Sequence, residues 1–161
     1  MPSLGRDGPR EFFSVRLTSR SDPKAAFTMT ALKVLVVEDD AMIGLLLAEM
    51  LGEMGYDVCA IAATEEDAVA DAARCKPGLM IVDEHLREGT GVSAVARILR
   101  NGPVPCVLIS GAPVHLARPG RSVLQKPFLE EDLVRAIRYV VGGVDAPPVP
   151  EPAPGHVVLA H

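Results

Sequence analysis

No apolar run in this sequence approaches the roughly 18 residues that a membrane span needs, although nearly half of its 161 residues are apolar. A soluble chain with no membrane contact is expected. An excess of basic charge is also missing. The formal net charge is −5, which argues against a general nucleic-acid binder, whose surface is usually basic. Direct nucleic-acid contact is not expected. The first residues lack the charged-then-apolar pattern of a secretory leader, so the cytoplasm is the default compartment. Cysteine is scarce. Cys59, Cys75 and Cys106 are odd in number and show neither CxxC nor zinc-ligand spacing. Cys59 and Cys106 sit in apolar strand-like runs, where a free cysteine serves as a small core residue of a reducing compartment. No internal repeat is visible.

What is present is an alternation of short apolar runs and helical patterns. Leu32–Val37, Val58–Ala62, Leu79–Val82, Cys106–Ser110 and Val123–Gln125 suit strands, several of them buried on both faces. Between them, Asp40–Met54 carries apolar residues at helical spacing and stops at Gly55. Thr64 is placed to cap a second helix, with Asp67 in its acidic first turn. A third helix runs from about Gly91 to Arg100, and Leu129–Val141 closes the pattern before Gly142-Gly143. Strands alternating with helices predict βαβ units, right-handed crossovers and a parallel sheet. The fold class is therefore α/β, a doubly wound five-stranded parallel sheet. Residues 1–28, rich in Arg, Ser, Pro and Gly, read as a disordered extension ahead of a domain over 29–144. Residues 145–161 read as a proline-rich extended tail.

In open parallel sheets the ligand site lies beyond the carboxyl ends of the strands. Those ends carry Glu38-Asp39-Asp40, Asp83-Glu84, Ser110-Gly111 and Lys126-Pro127. An acidic pair, a further carboxylate, a hydroxyl and an ammonium thus meet at one rim. Crowded carboxylates repel unless a cation intervenes. Mg²⁺ suits such a place, since it takes a few carboxylates and fills its octahedron with water and phosphate oxygens. An aspartate is also a competent nucleophile toward phosphorus. Asp83, facing the acidic pair and Lys126 from the central part of the sheet, is the candidate. Mg²⁺ and the lysine would neutralise charge on the transferring group, and Ser110 could hydrogen-bond a third oxygen.

At these residues the chain resembles the receiver domains of bacterial response regulators. VLVVEDD matches the first strand and acidic pair, and LMIVDEHL the phospho-acceptor strand, with Gly91 eight positions after Asp83. VLISG matches the fourth strand and LQKPF the fifth. The resemblance runs from about Leu32 to Val141. It implies the flavodoxin-like strand order 2-1-3-4-5, Glu38, Asp39 and Asp83 as Mg²⁺ ligands together with the backbone carbonyl of His85, and Ser110 and Lys126 as phosphoryl contacts. It also implies a histidine kinase or histidine phosphotransfer protein as phosphodonor and a downstream protein partner, and it leaves open a homodimer, which many receivers form.

Departures from the family pattern are specific. Arg87 stands where receivers usually have proline, and Val123 where many have an aromatic residue that reports phosphorylation. Fifteen residues separate Ser110 from Lys126, too few for a normal fourth helix, so GAPVHLARPGRS is expected to be short or irregular. A shortened fourth helix resembles the alphaproteobacterial receivers called FATGUY regulators, although ISGAP replaces the motif that names them. Other residues read as structural: Glu84, Glu88 and His115 as exposed, Asp40 as a helix cap, and Met42, Leu45, Leu46, Glu49 and Met50 as mostly core, part of that face being available to a kinase. The side chain of His85 is read either as lying near the phosphoryl group or as solvated.

The leading expectation is a stand-alone receiver that promotes its own phosphorylation and dephosphorylation without being an enzyme toward other substrates. The alternative is a receiver-like interaction module independent of phosphorylation. A phosphohydrolase is disfavoured, because His85 occupies the position where such enzymes need a second acid.

Overall fold

A computed structural model of the chain describes residues 30–112 and 120–142. The expected tails at 1–28 and 145–161, the irregular segment after Ser110 for residues 113–119, and His115 within it lie outside the described residues.

The five strands are β1 (Lys33–Val37), β2 (Asp57–Ala62), β3 (Leu79–Asp83), β4 (Cys106–Ser110) and β5 (Arg121–Gln125). They form one sheet in the order β2-β1-β3-β4-β5, and every pairing is parallel. The helices are α1 (Ala41–Glu53), α2 (Glu65–Cys75), α3 (Gly91–Ile98) and α4 (Glu130–Gly142), with one 3₁₀ turn at Leu99–Asn101. Among the described residues no helix lies between β4 and β5, and none is long and apolar enough to cross a membrane.

Alternation along the strands divides the core into two layers. Val34, Val36, Ile81, Val107, Ile109 and Leu124 face one way, packing with Leu47 and Leu51 of α1 and Leu133 and Ile137 of α4. Leu35, Val37, Met80, Val82, Cys106 and Leu108 face the other, packing with Ala68 and Ala72 of α2 and Ala94, Val95 and Ile98 of α3. Because β1, β3 and β4 are covered on both faces, their sequences are continuous apolar runs, as parallel strands require. The strand ends are thereby fixed in register, with Val37 beside Val82 and Asp83 beside Ile109.

Local signals place the helix starts. Asp40 accepts hydrogen bonds from the backbone N–H of Met42 and Ile43, so it is the cap of α1. Thr64 caps α2 through the Asp67 N–H, and Thr90 caps α3 through the Ser93 N–H.

The face that α1 buries is not the stripe expected from spacing. Its buried residues are Gly44, Leu47 and Leu51, while Met42 and Leu45 are 78% and 62% exposed and Leu46 and Glu49 are exposed too. Met50 alone of the expected stripe packs partly against the core. The sequence AMIGLLLAEMLGE is apolar almost all round, so spacing does not choose a face. Close approach chooses it: a Cβ on Gly44 would stand 2.9 Å from Ile61 Cγ2 on β2. The small residue therefore turns toward the sheet and carries Leu47 and Leu51 with it.

Candidate functional site

Each of the carboxyl ends identified above comes from a strand held by the core, so the polar groups at those ends are positioned by rigid elements. Glu38 and Asp39 follow β1, Asp83 ends β3, Ser110 ends β4, and Lys126 follows β5 at a cis bond to Pro127. One ligand atom from each of Glu38, Asp39 and Asp83 can be chosen so that all lie within 4.8 Å of one another. Lys126 Nζ lies 2.7 Å from Asp83 Oδ2, with the two side chains 15% and 6% exposed. The other Asp83 oxygen, Oδ1, accepts from the backbone N–H of His85 at 3.3 Å. Glu38, Asp39, Asp83, His85 and Lys126 line one open cavity together with Arg87.

Glu38 is the most deeply buried of the three carboxylates. It is 2% exposed; Oε1 accepts from the Asp40 N–H at 3.0 Å, but Oε2 is buried without a partner. Burial pushes its carboxyl up to about 7, and the Asp83 charge adds to that, against the opposing pull of the Asp40 N–H and Lys126. An unpartnered buried carboxylate oxygen beside two further carboxylates fits a hard divalent cation. Glu38, Asp39 and Asp83 are the residues that could hold it, and the backbone carbonyl of His85 is carried on the adjoining loop.

Ser110 is fully buried but does not line this cavity with the others. Its Oγ meets the Glu84 carboxylate in a short contact and the Ala112 carbonyl at 2.9 Å, and it accepts from the Ala112 N–H at 3.2 Å. Glu84, expected to be simply exposed, is instead half-buried and bound to Ser110. Nothing in local spacing could reveal that contact, since the two residues are 26 apart and meet only because β3 and β4 are neighbours. Glu88 is exposed as expected. The His85 ring is also mostly solvated, its side chain 78% exposed.

The loop from 84 to 90 is more constrained than its sequence suggests. Gly91 N–H donates to the Glu84 carbonyl at 2.9 Å, and the Glu65 N–H donates to the Glu88 carbonyl at 3.1 Å. The Glu65 carboxylate accepts from Thr90 N–H at 3.2 Å, Ser93 Oγ at 2.7 Å and Arg97 at 3.1 Å. Ser93 and Arg97 hold this carboxyl below the usual range. Read as sequence, Glu65 is an ordinary acidic residue at a helix start; in the fold it ties α2 to the loop beyond Asp83.

Comparison with known proteins shows the family. Residues 34–138 match the response regulator receiver domain. The chain belongs to that family. This receiver is 35% identical over 115 residues to the transcriptional regulatory protein PdtaR of Mycobacterium tuberculosis, a match covering 68% of this chain and 56% of PdtaR. It is 31% identical over 104 residues to the phyllosphere-induced regulator PhyR of Methylorubrum extorquens, covering 61% of this chain and 39% of PhyR. Among solved structures, the PhyR receiver domain of Erythrobacter litoralis superposes with a TM-score of 0.65 at 27% identity, covering 74% of this chain and 96% of that one. The receiver thus spans about half the length, or less, of these curated regulators.

Proposed function

We propose that this receiver accepts a phosphoryl group on Asp83 from a histidine kinase or histidine phosphotransfer protein, and signals through protein contact or onward phosphotransfer. The observation that carries the reading is the Asp83–Lys126 pair at 2.7 Å, set beside a three-carboxylate cluster with an unpartnered buried oxygen. In the transfer step an Asp83 carboxylate oxygen attacks phosphorus, the P–N bond to the donor imidazole breaks, and the imidazole leaves with the electron pair. Lys126 holds Asp83 in place and faces the charge of the incoming group. Mg²⁺, held by Glu38, Asp39, Asp83 and the His85 carbonyl, would supply further neutralisation of the phosphoryl oxygens. The Ser110 hydroxyl can serve one of those oxygens once it leaves Glu84.

The exposed Met42, Leu45 and Leu46 of α1 lie on the helix that follows the acidic pair and offer an apolar face to the phosphodonor. A FATGUY-like variant of the receiver is supported by the short interval between β4 and β5 and by likeness to PhyR proteins.

A second reading, a receiver-like module that binds partners without phosphorylation, is favoured by one observation: Ser110 is engaged by Glu84 and does not line the cavity. Incubation with Mg²⁺ and acetyl phosphate, followed by intact-mass measurement, separates the two. Wild type is expected to gain one phosphoryl group; Asp83→Asn, and wild type without Mg²⁺, are expected to gain none. No gain by wild type from either acetyl phosphate or a phosphorylated kinase would leave the interaction module as the better account.

A further inference from the structure

Arg87 occupies the middle of the loop between β3 and α3, at the position where receivers usually carry proline. The loop is pinned on both sides of it, by the His85–Thr90 bridge and by the two hydrogen bonds to Glu65. Gly89 reinforces the clamp. It has φ of +79°, and a Cβ there would lie 2.5 Å from the Glu65 side chain. With the loop fixed, Arg87 lines the same cavity as Glu38, Asp39, Asp83 and Lys126. Its Nε lies 4.0 Å from Asp39 Oδ2, and its side chain is 77% exposed.

Two consequences follow from charge and shape. A guanidinium beside Asp39 repels a divalent cation that would use the same carboxylate. The pair is long and its arginine is exposed, so it holds the arginine weakly and leaves it able to change partner. A phosphoryl group on Asp83 brings roughly −1.5 to −2 of charge into the cavity. A guanidinium suits that anion better than an ammonium does, because its planar fork can meet two phosphate oxygens at once. Proline at this position could do neither.

We propose that Arg87 tunes the site in opposite directions, weakening its hold on Mg²⁺ alone and strengthening its hold on the phosphoryl group of Asp83. This rests on the reading of Asp83 as the phospho-acceptor. Arg87 is then the residue that makes the pocket retain cation and anion together in preference to the cation by itself.

The test is a pair of measurements on the full chain, with Mg²⁺ titrated calorimetrically and beryllofluoride, a phosphoryl mimic, titrated in saturating Mg²⁺. Arg87→Ala is expected to bind Mg²⁺ roughly threefold to tenfold more tightly, and to hold beryllofluoride more weakly by about the same factor. Arg87→Lys keeps the charge, so its Mg²⁺ affinity stays near that of wild type, while it loses part of the beryllofluoride affinity with the fork. If Arg87→Ala leaves both affinities unchanged, or moves both in one direction, the inference is overturned and the phospho-acceptor reading stands. If wild type itself binds neither probe, that reading fails and takes this inference with it.

Discussion

Replacing Lys126 with alanine is expected to slow phosphoryl uptake by about 10²- to 10³-fold, the usual consequence of removing one preorganised charge from a reacting centre. The reason lies in the pairing. Asp83 is 5% exposed, its Oδ2 rests on Lys126 Nζ at 2.7 Å, and its near neighbours are the carboxylates of Glu38 and Asp39. Without the ammonium, three acidic groups face one another around an open cavity. Breaking a buried pair from one side strands the remaining charge, at a cost of about 3 kcal/mol. The same variant should therefore unfold at lower urea in the absence of divalent cation. Added Mg²⁺ should restore more stability to Lys126→Ala than it adds to wild type, since it supplies the cation the pocket has lost. Stopped uptake with unchanged stability would place Lys126 in transfer but not in holding Asp83. Normal uptake by this variant would remove the lysine from the mechanism.

Gly91→Ala is expected to cost about 3 kcal/mol of stability, at the upper end for overpacking in a close-packed core. A Cβ at this position would lie 1.9 Å from the Asp83 carbonyl oxygen and 2.7 Å from Val82 Cγ1. The oxygen belongs to the backbone of β3 and cannot rotate aside. Either α3 moves away from the sheet or the end of β3 shifts, and the second displaces Asp83 itself. Urea denaturation measures the loss, and a weakened Mg²⁺ affinity in the protein that remains folded would show the shift reaching the site. Gly52→Ala provides the contrast. Nothing lies within 4 Å of a Cβ at Gly52 in α1, so alanine there should stabilise by about 0.5–1 kcal/mol through helix propensity alone. Equal effects from the two substitutions would contradict the packing described for Gly91.

Much of this arrangement is legible in the sequence. Leu79–Val82 and Cys106–Ile109 are short apolar runs because both faces of those strands are covered, and the first polar residue after each run marks the rim. That is why Asp83, Ser110, Lys126 and the Glu38-Asp39 pair can be picked out by position. Edge strands are less clear. The strand β5 begins at Arg121, two residues before its apolar part, because it pairs with β4 on one side only and its first residues are half-exposed. The orientation of α1 is not legible at all: a helix apolar on every side gives no stripe, and contact between Gly44 and Ile61 decides which face is buried.

The polar contacts around the site are hidden for a different reason. Glu84 with Ser110, Glu65 with Thr90 and Ser93, and Arg87 with Asp39 each join residues 25 or more positions apart. Hydrophobic periodicity reports which face is buried and carries no information about which polar side chains on neighbouring loops will meet. Arg87 did leave a mark as a departure from the family pattern, but only the fold places it against the acidic pair.

Whether Asp83 carries an acyl phosphate is tested most directly with hydroxylamine. Acyl phosphates react with hydroxylamine to leave a hydroxamate on the carboxyl that carried the phosphoryl group, whereas phosphate esters of serine or threonine survive. After exposure to acetyl phosphate and Mg²⁺, treatment with hydroxylamine and peptide mass mapping should find the hydroxamate on Asp83 and on no other residue. A phosphoryl group that resists hydroxylamine, or a hydroxamate on Asp39 or Glu84 with Asp83 unmodified, would contradict the account.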